Sequence, residues 1–376
     1  MSLSSYRKEF PILSEKIHLG NCSQAPQSLP VLNAMDEYFH NWRTIGMDWD
    51  YWMTGVEKAK ASFAKLIHAD VDEIAVVSCV SDAVTSIAST FPWNGRKKVI
   101  TTEAEFPSVG HVWNSFTKKG LVDVSFITSD DGLYSADQLD GIINKDTALV
   151  SIHHVGYYNS AKQDLAAFAK KAHEHGAKVF VDAYQSLGTC DINVKELDID
   201  MLASGNLKYL LGIPGVAFLY VKKEIAEQLE PAMTGWFGRI NPFHFDATHL
   251  DFAEGARRFN TGTPPVIAAF AARGGMDFLL EVGMDRIEQR IQELSSHTLI
   301  EAAKRGLEIA SPLNPALKGA STAIRVNDAH KVENYLAEHQ VIGSARADVI
   351  RLAPHFFTEE KEIDRALDLV AESLKQ

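Results

Sequence analysis

The chain is poor in cysteine: Cys22, Cys79 and Cys190 are all it has in 376 residues, far apart and with no C-x-x-C pair. A sparse, odd count offers neither a disulfide framework nor a zinc-ligand spacing, and fits a reducing compartment. Positive charge is also short. Lys and Arg number 37 against 49 Asp and Glu, a formal charge of −12. That balance argues against a nucleic-acid partner, while leaving room for a locally positive site that takes a small anion. No apolar run approaches the roughly 20 residues of a membrane span, and the start, Met1 to Lys8, has no apolar stretch behind its charges, so no secretory leader is expected. Three signatures are missing too: a G-x-G-x-x-G after an early strand, a phosphate-binding P-loop and a G-x-S-x-G nucleophile elbow. His153-His154 and the isolated His111, His244 and His249 lack metal-ligand spacing with carboxylates, and most of them read as structural. These absences leave a soluble cytoplasmic enzyme for a small molecule.

The length exceeds one core of ordinary size and suits two domains; 46% hydrophobic and 23% charged residues are ordinary for a globular enzyme. From about residue 55 to 225, helical and strand patterns alternate. Helical spacing covers 56–67, 135–143 and 165–175, and Ser81-Asp82 reads as the cap of a helix over 83–88. Strands are expected at 73–77, 98–101, 122–126, 148–152, 178–181 and 216–221, with Gly176 a C-cap between the last helix and its strand. Such alternation implies an α/β fold with a mostly parallel sheet sandwiched by helices. Beyond about residue 262 the pattern changes to one long helix, 265–293 or further, then mixed elements ending in a helix over 359–374. This predicts a large domain over 18–262 and a smaller α+β domain made of 263–376 together with 1–17.

The chemistry centres on Lys208, in the glycine- and proline-broken loop Ser204-Gly205-Asn206-Leu207-Lys208-Tyr209-Leu210-Leu211-Gly212-Ile213-Pro214-Gly215. An amine flanked by apolar residues is partly desolvated, which lowers its pKa and suits it to form a Schiff base. Asp182 ends the apolar run Lys178-Val179-Phe180-Val181, as a carboxylate at the tip of a buried strand would. A lysine for the aldehyde and an aspartate for the pyridinium nitrogen are the two groups that pyridoxal 5′-phosphate needs from a protein. Around them, Val80-Ser81 at a strand–helix junction offers backbone N–H groups and a hydroxyl for a phosphate, though Ser81 alone would be an ordinary cap. Phe106 could stack on a flat ring or simply be core. Gln185 could donate to a ring hydroxyl or belong to a surface turn. Arg351, in the apolar stretch Val349-Ile350-Arg351-Leu352, calls for a carboxylate partner, from a substrate or from a protein Asp or Glu.

Together these residues resemble the class V aminotransferase family of fold-type I pyridoxal-phosphate enzymes, over nearly the whole chain. The family's D-x-x-Q element is similar to Asp182–Gln185, its S-G-x-K loop to Ser204–Lys208 with one extra residue, its G-T-P element to Gly262-Thr263-Pro264, and its R-x-[SA]-P-H-F-[YF] element to Arg351–Phe357. The resemblance implies that Lys208 carries the Schiff base and shuttles the substrate α-proton while Asp182 keeps the pyridine nitrogen protonated. It also implies that Gln185 contacts the ring hydroxyl and Phe106 stacks where many relatives have histidine. Val80 and Ser81 would hold the phosphate, aided by Thr263 from a second subunit, with Asn206 completing the cofactor-binding set. Arg351 would clamp the carboxylate of a small amino substrate, in a homodimer with shared sites. A second resemblance competes: Phe106-Pro107-Ser108, Lys208-Tyr209-Leu210 and Gly235-Trp236-Phe237-Gly238 look like kynureninase, a C–C lyase on the same cofactor, although Gln185 replaces its histidine. Cysteine desulfurases are a third relative, but Gly343–Asp348 lacks their nucleophilic cysteine. Transamination is the first expectation, a kynureninase-like lyase or an epimerase the second. A non-catalytic binding module of this fold is the alternative from another class, which intact Lys208 and Asp182 disfavour.

Overall fold

The computed structural model describes residues 3–375. After two short 3-10 turns comes β1 (Ile17–His18). Helix α1 (Leu29–Ile45) takes Pro30 in its first turn, where a missing N–H costs nothing, and α2 (Trp49–Leu66) is capped by Asp48, whose carboxylate accepts from the Tyr51 N–H. The alternating region then runs β2 (Ile74–Val77), α3 (Val80–Ala88), β3 (Lys98–Thr102), α4 (Pro107–Lys118), β4 (Asp123–Ile127) and β5 (Thr147–His153). It continues with α5 (Leu165–Glu174), β6 (Lys178–Asp182), β7 (Met201–Gly205), β8 (Ala217–Val221) and the single turn α6 (Lys223–Ala226). Strands β2 to β8 form one seven-stranded sheet in the order β2-β8-β7-β6-β5-β3-β4. Every pairing is parallel except those of β8, which runs against both β2 and β7. The C-terminal tips of β2, β3, β5, β6 and β7 therefore open on one edge, the edge where sheets of this kind hold ligands.

Alternation of side chains shows which helices cover which face. Ile100, Val150, Val179, Val181, Leu202 and Phe218 point into one apolar cluster with α2 and α5. Val99, Leu149, Phe180, Met201, Ala203 and Leu219 point into another with α3 and α4. Strands β5, β7 and β8 are buried along their whole length, which is why they read as continuous apolar runs. On the first face Phe63 of α2 stacks on Phe218 of β8, ring centres 4.7 Å apart.

The rest of the chain is α7 (Val266–Val282), α8 (Met284–Lys304), β9 (Thr322–Arg325), α9 (Ala329–Glu338), β10 (Val341–Ile342), β11 (Ser344–Arg346), β12 (Val349–Leu352) and α10 (Glu360–Ser373). β11, β12 and β9 make an antiparallel sheet over a third cluster that includes Leu294, Leu336, Ile350, Leu367 and Val370. The N-terminal segment joins it: β1 pairs in parallel with β10, and Arg7 donates to both oxygens of Glu362 on α10 at 2.8 Å.

The six expected strands agree with the observed ones to within a residue or so at each end; β7 (Met201–Gly205) is not among them, its last two residues reading as the start of the Lys208 loop. Three expectations need correction. The 135–143 stretch holds only a 3-10 turn, Ala136–Leu139, closed by a reciprocal Ser135–Gln138 capping box. The long helix from 265 is broken at Gly283, whose φ of 95° lies outside the helical range and separates α7 from α8. Helix α3 begins at Val80 with Cys79 at the cap position and no side chain capping it, so Ser81 lies inside the first turn instead of at the cap. Among the described residues no helix is long and apolar enough to cross a membrane.

Candidate active site

Three strand ends meet at the open edge. Asp182 closes β6, His153 closes β5 directly opposite it in register, and Gly205 closes β7 and leads into Asn206-Leu207-Lys208. The loop turns back on itself through Gly212 N–H to Asn206 C=O (2.8 Å) and Leu211 N–H to Lys208 C=O (2.9 Å). Both glycines are required by contact: a Cβ on Gly205 would run into the Tyr184 ring, and one on Gly212 into the Asn206 side chain. Phe106 and Glu105 come from the loop after β3. The structure thus brings Phe106, Asp182, Gln185 and Lys208 into one pocket, together with His153, Tyr157 and Tyr184. A wider cleft lined by Trp236, His244, Phe245 and His249 touches none of these groups.

The Lys208 amine lies 4.1 Å from the centre of the Tyr184 ring and 5.6 Å from that of Phe106, whose other neighbour is Tyr157, edge-on at 5.2 Å. The residue keeps some surface, but its amine is desolvated, and burial brings its pKa down to about 8 against the pull of Asp182. The positive charges of Arg351 and Arg346 lower it further. About a tenth of such amines are neutral at pH 7, some three-hundred-fold more than for an ordinary lysine. Asp182 is displaced the other way, to about 6, by burial and by the nearby Glu105. The Tyr184 N–H, which it accepts at 2.9 Å, opposes that shift, as do Lys208 and His153. It remains mostly ionised at neutral pH.

Glu105 is buried, and neither of its carboxylate oxygens has a hydrogen-bond partner; His153 Nδ1 is 3.4 Å away, also facing the Thr102 hydroxyl at 3.2 Å. The sequence pattern reads most of the histidines as structural; the structure places His153 in the lining of the pocket. Its signal is the one that Asp182 carries: a polar residue ending a buried strand. Gln185 donates its amide to the Cys22 carbonyl at 3.1 Å. Asn206 is fully buried, with neither amide atom paired.

Val80 is packed into the core, while Ser81 is half-buried in the uncapped first turn of α3. Arg351 is 1% exposed and donates to the Tyr157 carbonyl (2.7 Å), the Ser344 hydroxyl (2.7 Å) and the Ser23 hydroxyl (3.1 Å). These acceptors, and the Ser344 carbonyl at 3.5 Å, are all neutral; among the described residues no Asp or Glu pairs with it. Thr263 lies exposed on the loop before α7 and is not part of this pocket. Ser23 and Ser344 had no sequence signal, since 321 residues separate two hydroxyls that meet at 2.7 Å.

The family model described as Aminotransferase class-V matches residues 17–346. The chain belongs to the class V aminotransferase family. It is 39% identical over 366 residues to an uncharacterized aminotransferase, YcbU, of Bacillus subtilis (strain 168), covering 97% of this chain and 96% of that one. A kynureninase of Geobacillus thermodenitrificans is 26% identical over 396 residues, covering 100% and 92%. Among solved structures, the apo cysteine desulfurase of Thermococcus onnurineus NA1 superposes with a TM-score of 0.89 at 24% identity, over 99% of this chain and 98% of that one, a likeness that speaks to the fold. As a member of the family the protein is a fold-type I pyridoxal-phosphate enzyme. Its own residues fit that cofactor: a desolvated amine shares a pocket with a buried carboxylate, a buried amide without a hydrogen-bond partner sits two residues before the amine in the same loop, and a helix N-terminus stands uncapped at the same sheet edge.

Proposed function

We propose that the protein is an aminotransferase for a small amino acid, with Lys208 as both covalent anchor of pyridoxal phosphate and proton-transfer base. The observation that carries this is the Lys208–Asp182 couple: an amine whose pKa has fallen to about 8 opposite a buried carboxylate, within one aromatic-walled pocket. The bound cofactor supplies an electron sink for the carbon bearing the amino group. The chain does the rest. Asp182 would pair with the pyridine nitrogen, and its burial strengthens that charge pair. Phe106 would cover one face of the ring, Gln185 and Asn206 would meet its polar edge, and the Val80 and Ser81 N–H groups with the Ser81 hydroxyl would take the phosphate.

Arg351 would bind the substrate carboxylate, exchanging a neutral acceptor for an anion. Because its amine gives up a proton readily, Lys208 is suited to take the proton from the substrate α-carbon and to hand it on. Thr263, exposed on its loop, would complete the phosphate site from a second copy in a cytoplasmic homodimer. The large domain would span 18–262, with 1–17 and 263–376 forming the smaller one. The kynureninase relatives, which match nearly the full chain, and the resemblance of Gly235-Trp236-Phe237-Gly238 to kynureninase support C–C cleavage as the second reading. A panel of amino donors with keto acids, and kynurenine alone, separates the two. Amino transfer predicts a new amino acid from the keto acid; anthranilate and alanine from kynurenine without an acceptor would overturn it in favour of the lyase.

A further inference from the structure

The hairpin of β11 and β12 places two arginines side by side. Ser344 lies opposite Arg351 and Arg346 opposite Val349. Directly opposed residues share a face of a sheet, as do residues two apart on one strand, so Arg346 and Arg351 project from the same face as diagonal neighbours. At Arg351 that face meets the pocket wall, because Arg351 donates to the carbonyl of Tyr157, whose ring rests against Phe106. The turn between the strands is held in place. Asp348 accepts from the Tyr158 hydroxyl at 2.6 Å and from Arg325 at 2.6 Å. The acidic residue of the turn is therefore already engaged, and the side chain of Arg346, which is exposed, makes no hydrogen bond or ion pair among the described residues. Its charge is nevertheless felt at Lys208. An unpaired surface arginine is ordinary. Less ordinary is a pair of them on one braced face at the pocket, neither with a carboxylate, in a chain of formal charge −12.

We propose that Arg346 is a second anion-binding residue of this site and that the substrate is an amino acid with a second carboxylate on its side chain. The proposal rests on the reading of Lys208 and Arg351 given above. A monocarboxylate would occupy only one of the two planar guanidinium forks, each shaped to hold a carboxylate through two parallel hydrogen bonds.

The test uses holoenzyme and reads binding without turnover. α-Methyl-L-aspartate and α-methyl-L-glutamate, which cannot lose an α-proton, are titrated against their side-chain amides, with the visible spectrum of the bound cofactor as readout. The wild type should bind each acid about tenfold or more tightly than its amide. Arg346→Gln should erase that preference and leave the affinity for the amides unchanged, Arg346→Lys should keep part of it, and Arg351→Gln should weaken acids and amides alike. Equal binding of acid and amide by the wild type, or a preference that survives in Arg346→Gln, overturns the proposal. A protein that takes up no pyridoxal phosphate overturns this proposal and the functional reading together, whereas a normal cofactor spectrum without acid preference overturns this one alone.

Discussion

Replacing Lys208 by Met should make the apo-protein more stable near neutral pH, although it removes the proposed centre of the chemistry. The amine has a pKa of about 8 in the fold against an ordinary 10.5, chiefly because it is desolvated. At 1.36 kcal/mol per pKa unit, keeping it protonated in the fold costs about 3 kcal/mol. The variant also loses the cation over the Tyr184 ring at 4.1 Å, worth about 1 kcal/mol, so the net gain is about 2 kcal/mol. Below pH 8 both folded and unfolded chains carry the proton and the cost is full. Between 8 and 10.5 the unfolded chain binds more protons, so wild-type stability from this group rises with pH until the cost has gone. Urea unfolding of both apo-proteins should therefore show the variant ahead by about 2 kcal/mol at pH 7 and its lead gone at pH 10.5. Equal stability at pH 7, or the same difference at both pH values, would refute the idea that burial has primed this amine.

Arg351→Gln should weaken binding of α-carboxylate ligands by roughly 2–5 kcal/mol, the range for losing one partner of a buried charge pair, and leave amines without a carboxylate unaffected; calorimetry on holoenzyme checks both. His173 touches Asp200 at 2.6 Å and Asp198 at 3.0 Å, and the hydrogen bond to Asp200 raises its pKa above 6.5. The resulting stabilisation is full below pH 6.5 and lost as pH rises through the raised value, so His173→Gln should flatten wild-type stability over that window in a pH series of melting curves. Phe218→Ala removes the partner of Phe63 from the fully buried strand β8 and should cost about 3–5 kcal/mol in urea unfolding.

Much of the central sheet was legible because strands such as β5, β6 and β8 are buried almost throughout, which forces apolar runs; β7, as buried, ends in Ser204-Gly205 and was hidden in the glycine-broken loop. The polar residue at the end of such a run led to Asp182 and, read consistently, would have led to His153 one strand away. Less of the helical pattern was legible. Spacing alone does not show that Gly283 takes a φ no helix uses, or that a single capping box would satisfy residues 135–139 with a 3-10 turn. In the pocket, residue types that demand a partner stood out from the sequence: Lys208, Asp182 and Arg351 each carry a charge into apolar surroundings. Residues that supply the partner did not. Ser23, Ser344 and the Tyr157 carbonyl are unremarkable in sequence and meet Arg351 only because β1 and the β11–β12 hairpin fold onto the tips of the large sheet. Glu105 carries no sequence signal beside its neighbour Phe106, yet its buried carboxylate, 3.4 Å from His153 Nδ1, helps to raise the pKa of Asp182.

What Lys208 bonds to decides whether this pocket is the active site. Purified protein loaded with pyridoxal phosphate should show a visible absorption band that borohydride abolishes, and peptide mass mapping should then find one reduced pyridoxyl-phosphate group, on Lys208. A label on any other lysine, or protein that stays colourless and unlabelled after added cofactor, would contradict it.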